Sequence, residues 1–381
     1  MYYKNIETIH DDARYINRQV KCRDSHMPFE NLHYQKQTDY LGRLYGCQLF
    51  ARGGVEHPVT VYYPAESQTD DVDSLLDPWL PRAEEADFAC YDHSYLQDLQ
   101  NSKPGLYNGR TFTLKRIRQN PLKLRGGIGN YYDMLATCAA LEREMRDAAE
   151  GGSLRAPSRT AYHRRIAPQD SLQRGDKRSA AIGIGTLTVF NDRGVYKAML
   201  ARRSASTAFD SNLFHVLPAM MFGPTTAEFG DPREWSVKHQ IMREVLEELF
   251  GLPEETQPER WDYFYDHPAL RYLRQLLEAG SAQLCATGIV LNLLTLRPEI
   301  SVLLLIHDPA WYARVSAKGS DMPLLTADET LEGSLAMAPI ANDEAFLAHF
   351  PPDLHLIMPA QATATMWLCI DRARREIYRT A

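Results

Sequence analysis

Residues 281–308, SAQLCATGIVLNLLTLRPEISVLLLIHD, constrain the fold of this chain more than any other stretch. They hold two long apolar runs around Arg297-Pro298, and neither alternates as a strand with one wet face would. Two strands this apolar must be covered on both faces, which calls for helices on either side of a sheet. The neighbouring sequence supplies both kinds of partner. AAIGIGTLTVFNDRGVYKAMLARRS reads as two strands joined by a turn at Asp192-Arg193-Gly194, and NLFHVLPAMMFGP as a short strand stopped at Pro218. HPALRYLRQLLEAG and AQATATMWLCIDRARREIY carry the helical period. Single helices interleaved with strands and hairpins predict a mixed sheet sandwiched by helices.

The first half reads differently. LYGCQLFARGG, HPVTVYYPA and GRTFTLKRI look like short strands, and RGGIGNYYDMLATCAALEREMRDAAEGG like a Gly-rich turn leading into a helix that ends at Gly151. Gly126, Gly127 and Gly129 lack the spacing of a phosphate-binding loop, so a tight structural turn is expected there. Residues 150–180 mix Gly, Ser, Pro and charge without a sustained apolar period, which marks a boundary. The fold class predicted is α+β: an α+β accessory domain over residues 1–150, a linker over 151–179, and an α/β/α sandwich over 180–381. Two domains suit a chain of 381 residues. The acidic residues 83–87 are expected to form a solvated loop.

A net charge of −7 argues against general nucleic-acid binding, which needs a basic surface. Two local clusters leave a site for a polyanion such as RNA open, although solvated charge is the commoner outcome. The first comprises Arg110, Lys115, Arg116, Arg118, Lys123 and Arg125; the second Arg155, Arg159, Arg164, Arg165, Arg174, Lys177 and Arg178. The N-terminal residues have no apolar core of a signal peptide, and no run reaches the ~18 apolar residues of a membrane span, so a cytoplasmic protein is expected. Six scattered cysteines with no CxxC pair read as reduced thiols, not as a zinc site or a disulfide framework. His215, His239 and His307 stand alone on their elements and read as core or surface histidines. A homodimer is one assembly the sequence allows.

The segment GDPREWSVKHQIMREVLEELFG carries the chemistry. Asp231 can cap a helix, Pro232 suits its first position, Glu234 suits a capping box, and Gly251 a stop. Ile241, Met242, Val245, Leu246 and Leu249 form a buried stripe, which puts Glu244, Glu247 and Glu248 together on the opposite face. Like charges so spaced cost roughly 0.2–0.5 kcal/mol per pair, so something should compensate for them. Arg243 and Lys238 on a solvated face would do; so would a hard divalent cation, which takes oxygen ligands.

Arg243, Glu244, Val245, Glu247 and Glu248 match in order the central Arg-Glu-U-x-Glu-Glu of the motif of the Nudix hydrolases, which this segment resembles, U being bulky and aliphatic. AMLARRS and HVLPAMM resemble the family's strands ahead of that motif, and the resemblance covers about the second half of the chain. The motif's upstream Glu falls on Trp235 and its first Gly on Phe229, Phe250 stands where its last Gly belongs, and Ala219 and Met220 replace paired glycines. The resemblance implies that Glu244, Glu247 and Glu248 ligate Mg²⁺ (or Mn²⁺) and that Arg243 fixes their rotamers. It implies Mg²⁺-dependent hydrolysis of a nucleoside diphosphate linked to another moiety, by an enzyme acting on phosphoanhydride bonds. The general base would come from a separate loop: Glu299 is favoured, with Glu329 and Glu332 as alternatives. Arg202 and Arg203 end a strand that faces the expected cleft, and alternation lets one of them hold substrate phosphate. The other reading is a nucleotide-metabolite sensor of the same fold that hydrolyses nothing.

Overall fold

The computed structural model describes residues 31–83, 94–103, 106–150, 154–203, 212–226, 229–252, 260–317, 325 and 334–379. The two apolar runs form an antiparallel pair, β10 (Ala282–Asn292) and β11 (Arg297–Ile306), and the turn between them is residues 293–296, so Arg297-Pro298 opens β11 instead of forming the turn. β11 pairs in parallel with β6 (Gly183–Asp192), which pairs antiparallel with β7 (Val195–Arg202), and β7 with β12 (Ser334–Pro339). Two short strands flank Leu217-Pro218: β8 (Phe214–Val216) adds to β7, and β9 (Ala219–Met221) to β6. The far edge is closed by β3 (Val59–Tyr62) from the first half, giving a mixed sheet of eight strands. The Asp192-Arg193-Gly194 turn forms as expected, with φ of 55° at Arg193 and 90° at Gly194, the left-handed pair that matches strand twist.

Alternation along the buried strands assigns each side chain to a layer. On β11, Ile300, Val302, Leu304 and Ile306 enter one core, and Leu303 and Leu305 the other. On β10, Ala282, Leu284 and Ala286 face the first core; a bulge between Ala286 and Gly288 shifts the phase, so that Ile289 faces it next. The first core is covered by the acidic helix, the helix Pro268–Glu278 and the helix Trp311–Ser316. The C-terminal helix Ala360–Arg379 covers the second through Met366, Trp367, Ile370 and Ala373. The predicted sandwich of helices about a mixed sheet is therefore present.

The first half contributes to the same packing. The hairpin β4 (Arg110–Arg118) and β5 (Lys123–Asn130) sends Phe112, Leu114, Ile117 and Leu124 into the first core; a smaller hairpin pairs β1 (Phe50–Arg52) with β2 (Val55–His57). Gly126, Gly127 and Gly129 lie inside β5, which corrects the expected turn. A Cβ on Gly126 would come within 2.5 Å of the Trp235 ring, so close approach, not a bend, explains that glycine.

Part of the expected solvated linker is also folded. Helix Pro157–His163 packs Tyr162 beside Leu172 and Leu291, and Arg159 and Arg178 are buried. Arg159 donates to the carbonyls of Leu293 and Leu294 and to the Tyr45 hydroxyl; Arg178 donates to the carbonyls of Ser171 and Leu296 and to the Tyr162 hydroxyl. Two cations thus staple this segment to the β10–β11 turn, meeting carbonyls that a turn leaves without strand partners. The acidic residues 84–87 lie outside the described residues. Cys47, Cys138, Cys285 and Cys369 are free thiols, as expected, while Cys22 and Cys90 lie outside the described residues. No described helix is long and apolar enough to cross a membrane.

Candidate functional site

The capping box forms, but it caps less than predicted. Asp231 accepts from the Arg233 amide and Glu234 reaches back to the Asp231 amide, closing a 3₁₀ turn, Pro232–Glu234. The buried Glu234 carboxylate also accepts from the amides of Thr225 and Thr226 at 2.6 and 2.9 Å, so it organises the entering loop. The α-helix itself spans Val237–Glu244, capped by Ser236, whose hydroxyl accepts from the His239 amide. It then widens to a π turn over Val245–Leu249 and stops at Gly251, where φ is 62°. A π turn holds an extra residue, so Glu247 and Glu248 are not placed by the 3.6-residue spacing assumed from sequence; such turns recur at functional sites.

The carboxylates do not form an exposed strip. Glu244 is 7% exposed and Glu248 9%. Arg243 pairs with Glu244 at 2.9 Å and lies 3.7 Å from Glu247; the Gln240 amide donates to the same Glu244 oxygen at 2.8 Å. Glu248 accepts from the backbone amide of Ala219 at 2.8 Å. Ala219 is the register partner of Gly185 on β6. Above that glycine lies Glu299: a Cβ on Gly185 would stand 2.5 Å from its Oε1, and Thr365 donates to that oxygen at 3.2 Å. Glu248 thus reaches the backbone of β9 from the acidic helix, while Glu299 lies over Gly185 on the face covered by the C-terminal helix. Glycine at position 185 is what makes room for the second of them.

The same end of the sheet gathers positive charge. β7 runs antiparallel to β6, but the two part beyond Val189 and Ala198, where β8 and β9 enter between them, so Arg202 pairs with Phe214 on β8 and Gly183 with Met221 on β9. Arg202 donates to the Asn212 carbonyl at 3.3 Å. Arg203 lies close enough to Tyr131 and His215 to act on the ionisation of both. Burial pushes the Tyr131 hydroxyl up to about 12, opposed by Arg297 and Arg203. Arg297, whose Nε donates to the Ala181 carbonyl at 3.0 Å, and Tyr131 are absent from the sequence-based set. A charged residue at the mouth of an apolar strand is the signal that could have found Arg297. Glu329 and Glu332 lie outside the described residues.

Donor chemistry at the helix end suits a hard cation, since every side-chain donor is an oxygen. The buried Gln240 side-chain oxygen, beside Glu244, has no hydrogen-bond partner among the described residues. The rotamers present do not close a metal site: among the described residues no three His, Cys, Asp or Glu side chains stand as a ligand set. Glu244 is turned to Arg243 and Gln240, and Glu248 to Ala219, so a cation would need them to turn.

The isolated histidines behave as structural groups. His239 bridges the Thr225 hydroxyl and Tyr265, and His215 lies against the Val216 carbonyl. Burial holds His215 down at about 3, helped by Arg203, and holds His57 and His239 down at about 4. A depressed folded pKa means that the unfolded chain takes up protons first, so stability is full above about 6.5 and falls as pH drops towards 4, by up to ~1.4 kcal/mol per pH unit for each histidine. Urea unfolding followed from pH 7 to 4.5 should show this decline, made shallower by His215→Gln. A flat profile would mean that these rings are charged or solvated in the folded state.

No family model matches this chain, and no curated protein sequence does. Among solved structures it is similar to a bifunctional NMN adenylyltransferase/ADP ribose pyrophosphatase from Francisella tularensis, complexed with AMP and a manganese ion. That likeness has a TM-score of 0.28 and 10% identity, and it covers 51% of this chain and 42% of that one. The chain thus spans less than half of that protein's length, and a likeness this distant carries no argument about activity.

Proposed function

We propose that the chain is a divalent-cation-dependent hydrolase of phosphoanhydride bonds, acting on a nucleoside diphosphate linked to another moiety. One observation carries this reading: Glu244, Glu247 and Glu248 share a largely buried helix end, with Arg243 2.9 Å from Glu244 and 3.7 Å from Glu247. Bringing partly buried carboxylates together on one helix end is costly, and a bound cation would relieve that cost. The motif resemblance at Arg243–Glu248 supports the same assignment. When bound, Mg²⁺ or Mn²⁺ would neutralise the diphosphate and acidify a water.

The chain's own residues would do the rest. Glu244, Glu247 and Glu248 would hold the cation once Glu244 and Glu248 turn from their present donors, with Arg243 beside Glu244 and Glu247. Glu299 accepts the proton of the attacking water. Arg203, following β7, and Arg297, at the start of β11, bind phosphate oxygens. A second reading, a nucleotide-metabolite sensor, is favoured by one feature: Glu244 and Glu248 already rest on protein donors.

Thermal unfolding tests the cation site. Saturating Mg²⁺ or Mn²⁺ should raise the melting temperature by roughly 2–5 °C, because the ion binds only the folded state. Glu247→Gln should remain folded and lose most of that increment. A wild-type melting temperature unmoved at millimolar metal would rule the site out.

A further inference from the structure

On the outer side of the β4–β5 layer, arginines stand abreast. Arg116 and Arg125 are direct register partners across the two strands, and Arg116 also bridges Arg174 on its other side. Partners across antiparallel strands point to one face, so all three guanidinium groups share it, and all three residues are exposed. On the far side of β5 the chain from Leu76 to Ala83 runs parallel to it, bridging at Leu76 to Leu124 and at Ala83 to Ile128. This segment carries Trp79, 62% exposed, whose ring lies 5.5 Å from the Arg125 guanidinium. The result is a row of Arg125, Arg116 and Arg174 on three neighbouring segments, about 4.8 Å apart, with Trp79 at its Arg125 end.

This row is expensive to keep. Like charges directly opposite each other destabilise a sheet. Among the described residues Arg116 and Arg125 make no ion pair, while Arg174 pairs with Asp176 in an exposed setting where such a pair contributes little. A large exposed indole beside them adds apolar surface without a core to cover it.

We propose that this face docks single-stranded nucleic acid. Its phosphates would meet the arginine row, and an unstacked base would lie on Trp79, the combination of charge and π-face by which single strands are held without sequence readout. A duplex offers phosphates but keeps its bases stacked inside, and so leaves the indole unused. An overall charge of −7 limits the attraction to this face. The site is separate from the acidic helix end and does not depend on the hydrolase reading.

The test uses the full chain in EDTA with a fluorescein-labelled twelve-nucleotide oligo-dT, followed by anisotropy. Binding is expected in the range of roughly 1–10 µM at 50 mM salt, with the double substitution Arg116→Ser, Arg125→Ser weakening it at least ~10-fold and flattening the salt dependence by about two charges. Trp79→Ala should weaken it several-fold while leaving inorganic polyphosphate binding unchanged, since polyphosphate has no base to stack. Melting temperatures within a few degrees of wild type would show that these surface variants fold. No binding at ~100 µM protein, binding indifferent to all three residues, or Trp79 mattering equally for polyphosphate would overturn the proposal. So would binding to phosphatidylserine vesicles without binding to the oligonucleotide, which would make the face a membrane contact.

Discussion

Glu248→Gln is expected to lower the rate of hydrolysis on the order of 100-fold or more while leaving substrate affinity within roughly tenfold of wild type. The amide keeps an oxygen to accept from the Ala219 backbone, so the β9 rung and the helix end should stay as they are. What changes is one negative charge in a largely buried group of carboxylates. Holding a diphosphate can be done by Arg203 and Arg297 with a cation on fewer ligands. Hydrolysis needs the water in line with phosphorus as well, and a misplacement of about 1 Å costs ~100-fold. An interaction made mainly in the transition state shows this split between rate and affinity. Equal losses in both would make Glu248 a binding group only, as a sensor requires.

Arg159→Ala should destabilise the fold by about 3–5 kcal/mol, the largest stability effect expected of any arginine in residues 154–179. Its guanidinium is 1% exposed and meets the Leu293 carbonyl at 2.9 Å, together with Leu294 and Tyr45. Removing it strips donors from buried carbonyls of the β10–β11 turn and leaves a cavity between that turn and the helix Asn31–Tyr45. Exposed Arg164 is the control: its alanine variant should fall within about 0.5 kcal/mol of wild type. Urea unfolding of both variants checks the pair. A loss below ~1 kcal/mol for Arg159→Ala would mean that water or other donors serve those carbonyls.

The sheet is legible in the sequence where the signal is local. β10 and β11 announce themselves by apolar length, the β6–β7 hairpin by Asp-Arg-Gly, and the C-terminal helix by its period. What the sequence leaves hidden depends on partners far along the chain. Glycines 126, 127 and 129 look the same in a turn as in a strand; Trp235 packing on Gly126 decides, and no window around residue 126 contains it. Arg159 and Arg178 have the composition of a solvated linker because their partners are carbonyls, which any sequence supplies. The acidic helix is half legible. Its residues and its caps can be read, but the π turn and the cover from β9 cannot, and these leave Glu244 and Glu248 buried instead of on a solvated face. Arg297 is brought to the start of β6 only by the parallel register of β11 with that strand.

Hydrolysis by the wild-type chain is the most direct test of the central claim. A panel of nucleoside diphosphate derivatives is incubated with Mg²⁺ or Mn²⁺, and nucleoside monophosphate release is followed by chromatography. The account predicts metal-dependent cleavage of at least one member that EDTA abolishes. A derivative that binds at micromolar concentration and remains intact for hours with either metal would contradict it and assign the site to binding alone.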